Sequence, residues 1–210
     1  MTIYCDIETT TFFGDPEVKA LPRDQQLAAM KFGCAVTYDA TSDEWREWTA
    51  DQAVDLYNYL VWWKRPVAGW NIIDFDWPVI IGNARRAGRN VLEMETETVR
   101  FVDLFAEIRR TTGRWYKLED VCQANLGRGK LADGQKAAEW LRSGDPGLVR
   151  KAMSYCRYDV ELTVSLHSRL LSGEYLRLLP RPERQELNEL WWRPHFVEWV
   201  PDAMGTVSMK

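Results

Sequence analysis

Residues 67–78 read Val67-Ala68-Gly69-Trp70-Asn71-Ile72-Ile73-Asp74-Phe75-Asp76-Trp77-Pro78. Residues 66–70, PVAGW, form a short apolar run that reads as a buried strand. Residues 77–87 follow a helical pattern, with Pro78 in the first turn, where its missing N–H costs no hydrogen bond. A strand that passes this quickly into a helix sets Asp76 where the helix begins. There it either caps the helix or is held for chemistry.

Upstream, residues 2–8, TIYCDIE, read as a first strand that starts almost at once. Residues 10–29 contain Gly14, Pro16 and Pro22 and read as a long loop. Residues 31–38 and 44–49 are two more strands joined by a turn at Thr41-Ser42-Asp43. Apolar residues Val54, Tyr57, Leu60 and Val61 place a helix over 51–63, and residues 98–102, TVRFV, are a last strand. Helices then follow at about 103–111, 117–125, 134–142 and 146–171. Strands first, then alternation, then helices indicate an α/β fold, a mixed sheet packed by helices.

Asp6 and Glu8 are two apart on the first strand, so period two sends both side chains to one face. Two carboxylates on one face repel unless a cation lies between them, which suits a hard metal ion. With 31 acidic residues in 210, roughly four or five such pairs arise by chance. The pair alone is therefore as compatible with a solvated strand end as with a site. Its apolar strand favours a site, because charges there need a reason.

Tyr155 and Asp159 are four apart on the long amphipathic pattern 146–171 and share one face. Tyr116 and Asp120 have the same spacing, and roughly half of one such match arises by chance. YCRYDVELT, with its trailing aliphatic residues, is the better candidate.

Taken together, these segments resemble a known family. GWNIIDFDWP is similar to the second exonuclease motif of family-B DNA polymerase proofreading domains, and to stand-alone nucleases of the YprB type. The order Asp-x-Glu, Asn…Phe-Asp, Tyr-x-x-x-Asp resembles DEDDy-type 3′-5′ exonucleases of the ribonuclease-H-like (DnaQ-like) superfamily, over roughly residues 2–171. The resemblance implies a ribonuclease-H-like mixed five-stranded sheet flanked by helices. It implies metal binding by Asp6, Glu8, Asp76 and Asp159, with Asn71 in support and Tyr155 orienting the attacking water. Tyr155, with a reference pKa near 10, fits a hydrogen-bonding role better than that of a free base.

The cofactors implied are two Mg²⁺, with Mn²⁺ as a substitute. Asp6, Glu8 and Asp159 would hold one ion, and Asp6 with Asp76 the other. The implied reaction releases 5′-nucleoside monophosphates from the 3′ end of single-stranded DNA. An exoribonuclease, and a module that binds nucleic acid without cutting it, are the alternatives. Thr9, Phe12 and Phe13 follow the metal pair, where the resemblance puts the terminal nucleotide. For the two phenylalanines, stacking and core packing stay open alternatives. Lys117 lies in the family-like stretch YKLEDVCQANLGRGK and is a candidate phosphate contact.

Basic residues cluster at Arg85, Arg86 and Arg89, at Arg109, Arg110 and Arg114, and at Arg128 and Lys130, and read mainly as solvated faces. His167 reads as a surface helix residue. Composition is that of one ordinary domain: 46% hydrophobic, 28% charged, net charge −4, which does not suggest a nucleic-acid grip by whole-surface charge and does not exclude one. Cys5, Cys34, Cys122 and Cys156 have no zinc-site spacing and read as buried free thiols of a reducing cytoplasm. No secretory leader or membrane-spanning run is apparent. Residues 1–175 are expected to form the exonuclease domain. Residues 176–210, rich in Pro and carrying Trp191, Trp192, Phe196 and Trp199, are expected to be an aromatic extension packed on it. The expected partners are single-stranded DNA or RNA 3′ ends, with any polymerase or helicase on a separate chain.

Overall fold

In the computed structural model, residues 2–129, 134–180, 188–194, 199–201 and 207–209 are described. Lys130, His195 and Phe196 lie outside them.

Strand β1 (Ile3–Thr9) is the middle of the sheet. β2 (Phe32–Asp39) pairs antiparallel with β1, and β3 (Glu44–Thr49) antiparallel with β2. On the other side β4 (Val67–Gly69) runs parallel to β1, and β5 (Phe101–Asp103) parallel to β4. This is the mixed five-stranded sheet, order β3-β2-β1-β4-β5. Two strands from the aromatic extension, β8 (Trp199–Pro201) and β9 (Val207–Met209), continue it beyond β5. Two more, β6 (Leu176–Leu178) and β7 (Leu190–Trp192), pair with each other. Leu176, Leu178 and Trp192 are buried with Leu104, Ile108, Val121 and Leu166, and the Trp192 indole donates to Thr111 Oγ1 at 2.7 Å.

The alternation of β1 divides the molecule into two layers. Ile3, Cys5 and Ile7 pack with Leu56, Leu60, Trp77 and Ile80, from α3 (Ala53–Trp62) and α4 (Trp77–Arg86). Tyr4 points the other way, onto Met153, Cys156 and Val160 of α9 (Pro146–Leu171), a helix of 26 residues. Asp6 and Glu8 follow Tyr4 at period two, so the same alternation sends them towards α9. Between β5 and α9 the chain forms α6 (Leu104–Thr112), α7 (Leu118–Leu126) and α8 (Gly134–Arg142).

Residues 10–29 are not a loop. They hold two short helices, α1 (Pro16–Lys19) and α2 (Arg23–Ala29). The prolines that read as breaks stand at the helix starts, Pro16 as the first residue of α1 and Pro22 as the cap of α2, where proline is tolerated. A further short helix, α5 (Glu93–Thr96), precedes β5, which begins at Phe101 rather than Thr98. Among the described residues, no helix is long and apolar enough to cross a membrane.

His167 is buried rather than on the surface. Its Nδ1 lies 2.9 Å from the Tyr4 hydroxyl, and the two rings meet edge to face. Burial lowers its pKa to about 4 and raises that of Tyr4 to about 12, so both are neutral at pH 7.

Two expectations follow. A Cβ on Gly82 of α4 would lie 2.2 Å from the Ala28 carbonyl oxygen of α2, a backbone atom that cannot swing aside. Gly82→Ala should therefore destabilise the protein by about 1–3 kcal/mol in urea unfolding, and a neutral result would show that α2 does not dock as described. For His167, the folded pKa lies below the unfolded value, so the unfolded chain binds the extra proton first. Stability should be unaffected above about pH 6.5 and decline towards about pH 4, by about 3 kcal/mol in full. Urea titrations of wild type and His167→Gln across that range should show the wild-type slope reduced in the variant.

Candidate active site

Carboxylates from three parts of the chain meet at the C-terminal end of β1. Asp6 and Glu8 come from the strand itself. Asp159 comes from α9, whose Cys156 thiol donates to the Asp6 carbonyl at 3.2 Å and fixes helix against strand. One carboxylate oxygen from each of Asp6, Glu8 and Asp159 lies within 4.8 Å of the others. Glu8 and Asp159 are buried and Asp6 half-buried. The ladder slips between Glu8 and Thr9, and such a bulge bends the chain away after the acidic pair.

Asp76 enters by a different route. After β4, Asn71 adopts the left-handed conformation (φ 66°), which Asn tolerates better than most residues. Ile72–Asp76 then form a single π-helical turn leading into α4. The Asp76 side chain does not cap that helix. Its Oδ1 accepts the Ile7 N–H at 3.0 Å, which ties it to β1 beside Asp6. Gly69 permits the tight approach, because a Cβ there would lie 2.7 Å from Ile72 Cβ and 3.0 Å from the Cys5 carbonyl. Burial first, and then the charge of Asp6, push the Asp76 carboxyl well above the usual carboxylate range.

These four acids and Tyr155 line one cleft of about 320 Å³, together with Thr9, Phe12, Trp70, Asn71 and Phe75. None of the described lining residues is basic. Tyr155 is buried one turn before Asp159, packed with Ala137, Trp140 and Ala152 of α8 and α9. Gly134, which opens α8, brings its backbone to the cleft wall, where a Cβ would lie 4.0 Å from Glu8 Oε2. A clustered, all-oxygen, negatively charged donor set suits a hard divalent cation. Asp6, Glu8 and Asp159 could hold one such ion.

The remaining candidates separate. Thr9 lines the cleft, but its hydroxyl is engaged with the Thr11 carbonyl at 2.6 Å. Phe12 faces the cleft and carries the Arg142 guanidinium 4.4 Å from its ring centre. Phe13 packs against the core, edge to face with Phe75. Lys117 is exposed just ahead of α7 and is not among the described lining residues. The rival pair goes elsewhere: Tyr116 is buried among α6, α7 and α9, and Asp120 lies in the first turn of α7. Arg86 donates to the Ala28 and Met30 carbonyls, and Arg89 and Arg110 pair with Glu95 and Glu107, so these basic side chains serve the fold.

One residue essential to this geometry was missed in the sequence. Asp103, at the end of β5, accepts the N–H groups of Asn71, Ile73 and Ala106, each at 3.0 Å. It thus pins the turn that delivers Asp76 and caps α6 at once. Burial raises its pKa to about 6 against the pull of those three donors. An Asp directly before an apolar-periodic run is a helix-start signal and would have marked the cap, but not the contact with Asn71 and Ile73 across 30 residues.

A larger hollow of about 650 Å³ lies on the opposite face of the sheet, beside Trp48, Tyr59 and Trp62. Its lining carboxylates are Asp55 and Glu95, the latter paired with Arg89, and among the described residues they form no comparable assembly.

No match to a curated protein was found. The family model described as RNase_H superfamily matches residues 3–171, from the first residue of β1 to the last of α9. That span contains all five central strands and every carboxylate of the cleft, and the chain belongs to the RNase H superfamily, a membership that points to a nuclease.

Proposed function

We propose that the protein is a metal-dependent 3′-5′ exonuclease that hydrolyses terminal phosphodiesters of single-stranded DNA to 5′-nucleoside monophosphates. The observation that carries this reading is the meeting of Asp6, Glu8 and Asp159 within 4.8 Å, in a cleft that Asp76 and Tyr155 also line. Residues 1–175 would form the catalytic domain and 176–210 an extension upon it.

Asp6, Glu8 and Asp159 would hold one Mg²⁺, and Asp6 with Asp76 a second, Mn²⁺ serving in place of either. When bound, divalent ions supply an activated water and neutralise charge on the phosphate. The chain's own contribution is positioning. The four acids are fixed from β1, the π-helical turn and α9. Tyr155 stands one helical turn from Asp159, placed to donate a hydrogen bond to the attacking water. As a neutral phenol it orients this water rather than removing its proton. Phe12 and Asn71 form walls against which a terminal nucleotide would be held. A polymerase or helicase acting with it would be a separate chain.

Strands of DNA and RNA of one sequence, labelled at the 5′ end, would be incubated with Mg²⁺, Mn²⁺ or EDTA. The expected result is a metal-dependent ladder shortening from the 3′ end, with the faster substrate naming the sugar. Asp6→Asn should abolish it, and Tyr155→Phe should lower kcat by about 100-fold or more with the strand still bound. Cleavage at internal positions, or none with any metal, would overturn the proposal.

A further inference from the structure

Three aromatic residues lead out of the carboxylate cleft. Trp70 lines it. Its ring centre is 6.2 Å from that of Phe105 on α6, and Phe105 is 6.4 Å from Trp115, in the segment between α6 and α7. All three are half-buried, not sealed into the core. The ring planes meet at 59° and 64°, so neighbours touch by edge and tilt and are not stacked face to face. Half-buried rings of this kind keep part of their surface open to a planar partner.

We propose that Trp70, Phe105 and Trp115 form a stacking track for the bases of a single strand whose 3′ end occupies the carboxylate cleft. This rests on the nuclease reading, and extends it from the terminal nucleotide to the strand behind it. Two observations select this occupant. The track is continuous with the cleft through Trp70, so a chain threaded from one reaches the other. Its charge also suits a polyanion. Arg109, on α6, is exposed, and among the described residues it makes a loose 3.5 Å contact to Asp74, also exposed, beside the cleft. Arg114 adjoins Trp115 and uses one nitrogen on the Asn188 carbonyl, and Lys117 is exposed two residues beyond Trp115. Phosphates would meet the cations while bases meet the rings, the division of labour that grips single strands without reading sequence. It also reconciles a net charge of −4 with nucleic-acid binding, because attraction is confined to one strip.

The test is fluorescence anisotropy with a 5′-labelled single-stranded DNA of about 12 nucleotides. A second strand has the same phosphates but is abasic behind its terminal nucleotide, and Ca²⁺ replaces Mg²⁺ in both titrations. Wild type should prefer the base-bearing strand. Phe105→Ala and Trp115→Ala should each weaken binding to it about 5- to 100-fold and leave the abasic strand unaffected. Trp115→Phe, which keeps a ring, should restore most of the affinity. Trp62→Ala, on the opposite face and 80% exposed, should change nothing. Equal losses on both strands, no loss on either, or no binding by wild type would overturn the track. Base-dependent binding without hydrolysis in Mg²⁺ would support the track and remove the nuclease reading. Hydrolysis without base dependence would remove the track alone.

Discussion

Four carboxylates share one cleft in which no described lining residue is basic. Like charges at this distance, partly withdrawn from water, raise one another's pKa and oppose folding. Here Asp76 carries the effect, pushed upward by burial and by Asp6. The fold must hold these groups together against their repulsion, and it does so with apolar packing. The alternation of β1 puts Ile3, Cys5 and Ile7 into one layer and Tyr4 into the other. The acids are therefore carried on a strand buried on both sides, and their place is a consequence of where the core lies.

Three supports keep the acids from separating. The Cys156 thiol holds α9 to the Asp6 carbonyl, the Ile7 N–H holds Asp76, and Asp103 holds the turn that leads to Asp76. The first ties α9 to β1, and the other two tie the π-helical turn to β1 and to β5. A preorganised arrangement of this kind would leave little to rearrange on binding of the proposed cation and phosphate.

Much of this was legible in the sequence. TIYCDIE announces a strand with both acids on one face, and the apolar spacing of 146–171 announces α9 with Tyr155 and Asp159 one turn apart. The five strands of the sheet were readable from short apolar runs between turns. Other features depend on contacts that period and propensity do not encode. Pro16 and Pro22 look alike whether they break a chain or begin a helix, so α1 and α2 were read as loop. His167 was read as exposed, because nothing local reveals that Tyr4 and the β1 layer lie over it. The acceptor role of Asp103 depends on β5 being parallel to β4, which puts its carboxylate beside the Asn71 turn. The aromatic extension gave no strand signal through its prolines, yet its described parts pair in the sheet and along β6 and β7.

The proposed function stands on the β1 acids and Asp159 acting as a cation-binding assembly. Crystals of the wild-type protein grown with Mn²⁺, with data collected at the manganese absorption edge, test it most directly. An anomalous peak should appear among the carboxylates of Asp6, Glu8 and Asp159 and be absent in crystals of Asp159→Asn. Manganese bound only elsewhere, or a peak that persists in the variant, would contradict it.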